Sequence, residues 1–205
     1  MDRKPTKGEY IEVLLRSPKT IFTTKDIALL WGEKTSMAVR VRLSKYVKNG
    51  KLNRVHKGIY AKDKDYNRFE LATRIYTPSY ISFETILTRS GINFQYYGNI
   101  FVASYVTRDI EADTQRISFV RMKDYVLSDT TGIEHVNDVP FATKERAFLD
   151  RIYVSKDYHF DNLNALNWDK VFEILPIYRS ERMNKKVAKY FKYHKEDIPD
   201  NYKTV

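Results

Sequence analysis

The sequence predicts an α+β fold in two parts: three short helices closed by a hairpin over residues 1–62, then an α+β domain over residues 63–205 with a small, mainly antiparallel sheet and C-terminal helices. Three observations carry this expectation. Apolar residues recur with a helical period three times before Gly50, and two short β-prone runs then flank Lys57-Gly58. Beyond residue 99 the period shortens to that of strands and lengthens again after Thr143. Charge divides the chain at the same place. Net charge is +10, and residues 1–62 hold fifteen of the 36 Lys/Arg but only five of the 26 Asp/Glu, which leaves 21 of each sign for the rest. A basic module beside a neutral one points to a polyanion partner for the first part.

Composition excludes several classes. There is no cysteine, so disulfides and thiolate zinc sites are absent, and a reducing compartment is expected. Met1-Asp2-Arg3-Lys4-Pro5 opens without an apolar stretch behind it, and no run approaches the ~18 apolar residues that span a bilayer. The expectation is a cytoplasmic protein without a signal peptide.

The first helix carries Tyr10, Ile11, Val13, Leu14 and Leu15 and ends at Ser17-Pro18, because proline disfavours helix at the residue before it. A second follows with Thr24 as its expected N-cap, and with Ile27, Leu30 and Trp31 on its buried face until Gly32 stops it. The third runs from Ser36 to about Asn49, capped at Thr35 or Ser36 and ended by Gly50. At 100° per residue, Val39, Leu43, Tyr46 and Val47 form its core stripe. Met37, Val41, Ser44, Lys45 and Lys48 lie opposite, flanked by Arg40 and Arg42, and no carboxylate occurs in the helix. A solvated helix gains by mixing signs, whereas one in a phosphate-walled groove avoids acids.

Leu52 to Val55 and Ile59 to Ala61 flank the turn His56-Lys57-Gly58, which makes a hairpin. Helix, helix, helix, hairpin is the order of a winged helix-turn-helix. On that reading Met37, Arg40, Val41, Ser44 and Lys45 reach base edges in the major groove of double-stranded DNA. Lys34, Lys48, Arg54, His56 and Lys57 hold phosphates or enter the adjacent minor groove. Winged helices also serve as protein–protein modules; the acid-free helix and basic hairpin tip favour DNA.

Residues 61–67 form a short charged linker without Gly or Pro. Asn67 and Glu70 make a capping-box pattern for a helix through Tyr76, broken at Thr77-Pro78. A helix over 83–90 ends at Gly91, and strands are expected over 100–106 and 117–122, with a weaker one over 133–136. Thr143 caps a helix through Tyr153, and helices over 168–175 and 179–194 follow. In the last, Met183, Val187, Tyr190 and Phe191 form the buried stripe, with Arg182, Lys185, Lys186, Lys189 and Lys192 opposite. That charge run reads either as a solvated face or as a second polyanion surface, for instance for RNA.

Catalytic constellations are mostly absent. The four histidines (56, 135, 159 and 194) have no metal-ligand spacing, there is no glycine-rich phosphate loop, and no G-x-S-x-G elbow occurs. Asp150, between Arg146 and Arg151, reads as a structural ion pair. Phe94, Tyr96, Tyr97 and Phe101 read as core rather than as a stacking platform. The expectation is no enzyme, no cofactor and no metal.

The segments Lys57-Gly58-Ile59-Tyr60, Pro78-Ser79-Tyr80-Ile81-Ser82-Phe83-Glu84-Thr85-Ile86-Leu87 with Ser90-Gly91, and Ala142-Thr143-Lys144-Glu145-Arg146-Ala147-Phe148-Leu149-Asp150-Arg151-Ile152-Tyr153, in this order, resemble the AbiEi family of antitoxins from bacterial abortive-infection (phage-defence) toxin–antitoxin systems. The resemblance covers nearly the whole chain; Arg146 stands where lysine is expected, which keeps the charge. It implies a transcriptional repressor that binds inverted repeats in its own promoter (autoregulation), and a C-terminal antitoxin domain. It also implies a nucleotidyltransferase-like toxin as functional partner, opposed in the type IV manner, for which a stable complex is not required. Charge and motif position single out Arg89, Lys144, Arg146, Arg151, Arg182, Lys185, Lys186 and Lys189 for the antitoxin role. The competing expectation is a plain winged-helix transcription factor whose C-terminal domain dimerises or senses a ligand.

Overall fold

The punctuation by Pro18, Gly32 and Gly50 yields three short helices in the structure, a computed structural model that describes residues 8–34 and 36–197. The fold is α+β and divides into two compact units. The first contains α1 (Tyr10–Arg16), β1 (Ile21–Thr23), α2 (Thr24–Leu30), α3 (Met37–Lys48), β2 (Asn53–His56) and β3 (Ile59–Ala61). Its three strands form an antiparallel sheet in the order β1-β3-β2. Strand β1 escapes the sequence reading because three residues are too few to display a period. Leu14, Phe22, Ile27, Trp31, Val39, Leu43, Leu52 and Tyr60 meet in one core, and the Trp31 indole N–H donates to the Tyr10 carbonyl at 2.8 Å.

One helix start differs from expectation. Thr23, not Thr24, caps α2: its hydroxyl accepts from the Asp26 amide at 3.1 Å, and the Asp26 carboxylate accepts from the Thr23 amide at 2.9 Å. Thr24 is free to serve the hairpin, donating from its amide and hydroxyl to the Gly58 carbonyl. The buried face of α2 is Ile27, Ala28 and Trp31, while Leu30 is half-exposed. Ser36 caps α3, and Thr35 lies outside the described residues.

The first unit continues past Lys62 to Thr77 and takes in Glu111–Gln115, so the expected boundary at 62 falls inside it. Helix α4 (Arg68–Ile75) is the reason. Asn67 caps it, but Glu70 does not complete the box. Its carboxylate turns to the entry of β1 instead, accepting from the amide of Thr20 at 3.0 Å and from its hydroxyl at 2.7 Å. The Tyr66 hydroxyl donates to Asp113 at 2.7 Å.

The second unit comprises Pro78–Ile110 and residues from Arg116 onward. It contains β4 (Ser79–Ile81), α5 (Glu84–Arg89), β5 (Ile100–Ser104), most of β6 (Arg108–Ala112) and of β7 (Gln115–Arg121), whose connecting ends Glu111–Gln115 belong to the first unit, then α6 (Asp124–Leu127), β8 (Ile133–Val136), β9 (Val139–Ala142), α7 (Lys144–Val154), α8 (Trp168–Ile174) and α9 (Glu181–Asp197). The sheet order is β6-β7-β5-β4-β9-β8. It is mixed rather than mainly antiparallel: β4 runs antiparallel to β5 and β8 to β9, but β5 pairs parallel with β7 and β4 parallel with β9. Strand β6 explains one parallel pair. The chain runs out along it at the edge and returns as β7 beside β5, so alternate strands point the same way.

Strand β9 also went unread. Its turn, Asn137-Asp138, has positive φ at both residues (52° and 64°), the backbone of a type I′ hairpin. Gly132 is constrained differently. Its φ is +74°, and a Cβ there would sit 2.8 Å from Ile174 Cδ1 and 3.0 Å from Arg146 Cβ, so both twist and close packing require glycine.

Candidate nucleic-acid interface

Helix α3 is a divided surface. Val39 and Leu43 are fully buried, and Tyr46 and Val47 pack against the same core. Met37, Arg40, Val41, Ser44, Lys45 and Lys48 are exposed, Met37 at 74%. Exposing two large apolar side chains among cations is unfavourable in water and suits contact with thymine methyl groups. Arg42, on the flank, is withdrawn from this surface. Its Nη1 donates to Glu33 Oε1 at 3.1 Å, and its guanidinium lies 3.8 Å from the ring centroid of Tyr10. Tyr10 donates its hydroxyl to the same Glu33 at 2.6 Å. The nearby acid is thus spent on an arginine that anchors the helix. Among the described residues, no carboxylate pairs with Arg40, Lys45 or Lys48.

The hairpin holds the other expected contacts. Its two-residue tip, Lys57-Gly58, follows the pair His56–Ile59, and Gly58 has φ +75°, which favours glycine there. A register shift between Arg54 and His56 bends the strand. Arg54 and Lys57 are exposed, Val55 is buried, and His56 is partly covered. Burial, and then the charge of Arg54, lowers the His56 pKa below its ordinary 6.5, so at neutral pH the ring is a neutral hydrogen-bonding imidazole. Lys34, before α3, is exposed.

The eight antitoxin candidates do not form one site. Arg146 is fully buried. Its Nη2 donates to the Val126 carbonyl at 2.7 Å and to the Tyr80 hydroxyl at 3.0 Å, Nη1 to the Thr131 carbonyl at 2.7 Å, and Nε to Asp150 at 3.3 Å. A guanidinium so enclosed cannot touch a partner, and the expectation for Arg146 is corrected: it is a core residue. Its position one turn after the cap, facing the sheet, buries it, and sequence charge alone does not show which side of the helix that is. The Asp150 carboxylate also accepts from Ser82 and Tyr178, each at 2.7 Å, and from Tyr80 at 3.0 Å. Burial, and then Asp150, pushes both phenols well above their ordinary pKa, so they remain donors.

Arg151 is likewise engaged, with Nε 3.1 Å from the buried Glu84 carboxylate and its guanidinium 4.7 Å from the Tyr158 ring centroid. Arg89 and Lys144 share a hollow with Glu134, Glu145 and Lys170. Arg182, Lys185, Lys186 and Lys189 line another surface of the second unit. Of the aromatic cluster, Phe94 and Tyr96 are exposed (70% and 85%) rather than core. Among the described residues, no three His, Asp or Glu side chains gather as a metal site, and no helix is long and apolar enough to cross a membrane.

No protein-family model matches this chain, and no curated protein is significantly similar to it. Among solved structures, the crystal structure of the RV2827C protein from Mycobacterium tuberculosis aligns with 92% of this chain and 73% of its own, at 11% identity and a TM-score of 0.46. Nothing about site or activity is carried over at that distance.

Proposed function

We propose that the first unit is a winged helix-turn-helix that binds double-stranded promoter DNA, with α3 in the major groove and the β2–β3 hairpin as the wing. The single observation that carries this reading is the exposed, acid-free surface of α3, beside which the Glu33 carboxylate is already paired with Arg42. Arg40 and Lys45 would read bases with Met37, Val41 and Ser44, while Lys34, Lys48, Arg54 and Lys57 hold phosphates. Taken with its resemblance to the AbiEi family, the chain acts as an antitoxin that represses its own operon. The second unit then opposes a nucleotidyltransferase-like toxin.

The test has two arms. In a low-salt gel shift the full chain should retard the DNA upstream of its own gene and release it when Arg40 and Lys45 are both changed to Glu. Co-expression with a neighbouring toxin gene should restore growth, and the same α3 variant should still do so. Failure to shift the promoter removes the DNA reading; shifting without rescue removes the antitoxin reading and leaves a repressor.

The His56 environment adds a pH dependence. A phosphate beside the ring favours the protonated form, so the DNA-bound protein takes up a proton that the free protein lacks at neutral pH. Affinity for the promoter should therefore rise as pH falls from about 7.5 to about 5.5. Fluorescence anisotropy of native and His56→Asn proteins checks it: the substitution should flatten the curve, and parallel curves would remove His56 from the interface.

A further inference from the structure

Helix α9 carries six Lys/Arg between Arg182 and Lys195 and no acid in that stretch. Arg182, Lys185, Lys186 and Lys189 recur at i, i+3, i+4 and i+7, which sets them on one face. That face forms one wall of a groove in the second unit, made of two adjoining hollows of about 890 and 530 Å³ that share Lys156, Asp157, Lys186 and Lys189. Asp157 is the one acid among five lining cations. Lys186 donates to the carbonyls of Ile152 (2.7 Å) and Ser155, which ties α9 to the end of α7 and fixes this wall. Among the described residues, Lys156, Arg182, Lys185 and Lys189 form no ion pair. A merely solvated helix would not keep one sign along a concave surface.

The floor of the groove is aromatic. Tyr158, Tyr190 and Tyr193 line it together with Lys156, Lys186 and Lys189. Tyr158 is held firmly: its hydroxyl donates to Glu84 at 3.2 Å and accepts from the Asn93 amide at 2.6 Å. Tyr190 donates its hydroxyl to the Tyr158 carbonyl at 2.5 Å. Tyr193 is 48% exposed, with Lys189 Nζ 5.7 Å from its ring centroid. Cations alone would match a duplex or an acidic protein. Rings interleaved with cations match a chain that offers both phosphates and unstacked base faces.

We propose that the groove between α9 and residues 156–160 binds single-stranded nucleic acid, with Lys156, Arg182, Lys185 and Lys189 on the phosphates and Tyr193 stacking a base. This is a second binding activity, separate from the reading of α3.

The test uses the full chain carrying Arg40→Glu and Lys45→Glu, so that α3 contributes nothing, and a labelled oligouridylate of about 12 nucleotides at low salt, read by anisotropy. Binding should persist in that background and fall at least about tenfold on adding Lys185→Glu and Lys189→Glu. Tyr193→Ala should weaken it about five- to tenfold, and Tyr193→Phe should restore it. All three positions are exposed, and unchanged thermal unfolding confirms that the variants fold. In the otherwise native chain, Lys185→Glu with Lys189→Glu should leave promoter binding unaltered. Loss of strand binding in the α3-reversed background, indifference to Tyr193→Ala, or equal competition by a duplex of the same length would each overturn the proposal.

Discussion

Replacing Asp150 with alanine is expected to destabilise the second unit by about 3–5 kcal/mol. The carboxylate is fully buried and accepts from Arg146, Tyr80, Ser82 and Tyr178. Its removal strands the Arg146 charge in the core and deprives three hydroxyls of their acceptor. Burial raises the Asp150 pKa, and Arg146 with the three hydroxyls draws it back, so each partner makes the other's burial tolerable. A urea titration followed through the second unit's aromatic signal measures the loss. Changing both residues, Arg146→Met with Asp150→Leu, should recover much of it, because the apolar pair leaves no unpaired charge. If Asp150→Ala proved as stable as the native protein, the network could not be what fixes α7 against β4.

Arg40→Ala is expected to weaken promoter binding by about 1–3 kcal/mol, with a much smaller effect on random DNA. Its side chain is exposed on the acid-free surface of α3 and has no ion pair to break first. Lys57→Ala, at the hairpin tip, should instead weaken all sequences alike and lower the salt slope by about one. Arg42 provides the control. It lies on the other flank of the helix and is clamped between Glu33 and Tyr10, so Arg42→Ala should lower stability more than it alters sequence preference. Titrations on promoter and scrambled duplexes at two salt concentrations separate these effects. Equal losses on both duplexes for Arg40→Ala would falsify its role as a base reader.

The division of α3 was readable because a 3.6-residue period sorts Val39 and Leu43 from Met37 and Val41 with no tertiary information. Helix limits at Pro18, Gly50 and Gly91 followed from local sterics in the same way. Arg146 and Arg42 were not separable from their exposed neighbours. A guanidinium can lie in a core or on a surface, and the partners that decide are 66 residues away for Arg146 (Tyr80) and nine away for Arg42 (Glu33). The type I′ turn at Asn137-Asp138 was a local signal that could have revealed β9.

By itself, the sequence determined the α+β class, the order of helices in the first unit, the hairpin after α3 and the placing of the charge in the first 62 residues. These depend on period, turn chemistry and composition, all short-range properties. The tertiary structure alone decided the parallel pairs of the sheet, the attachment of α4 to the first unit, and which arginines are removed from solvent. Each of those depends on a distant segment supplying a hydrogen-bond acceptor or a neighbouring strand, and no local pattern encodes which one will arrive.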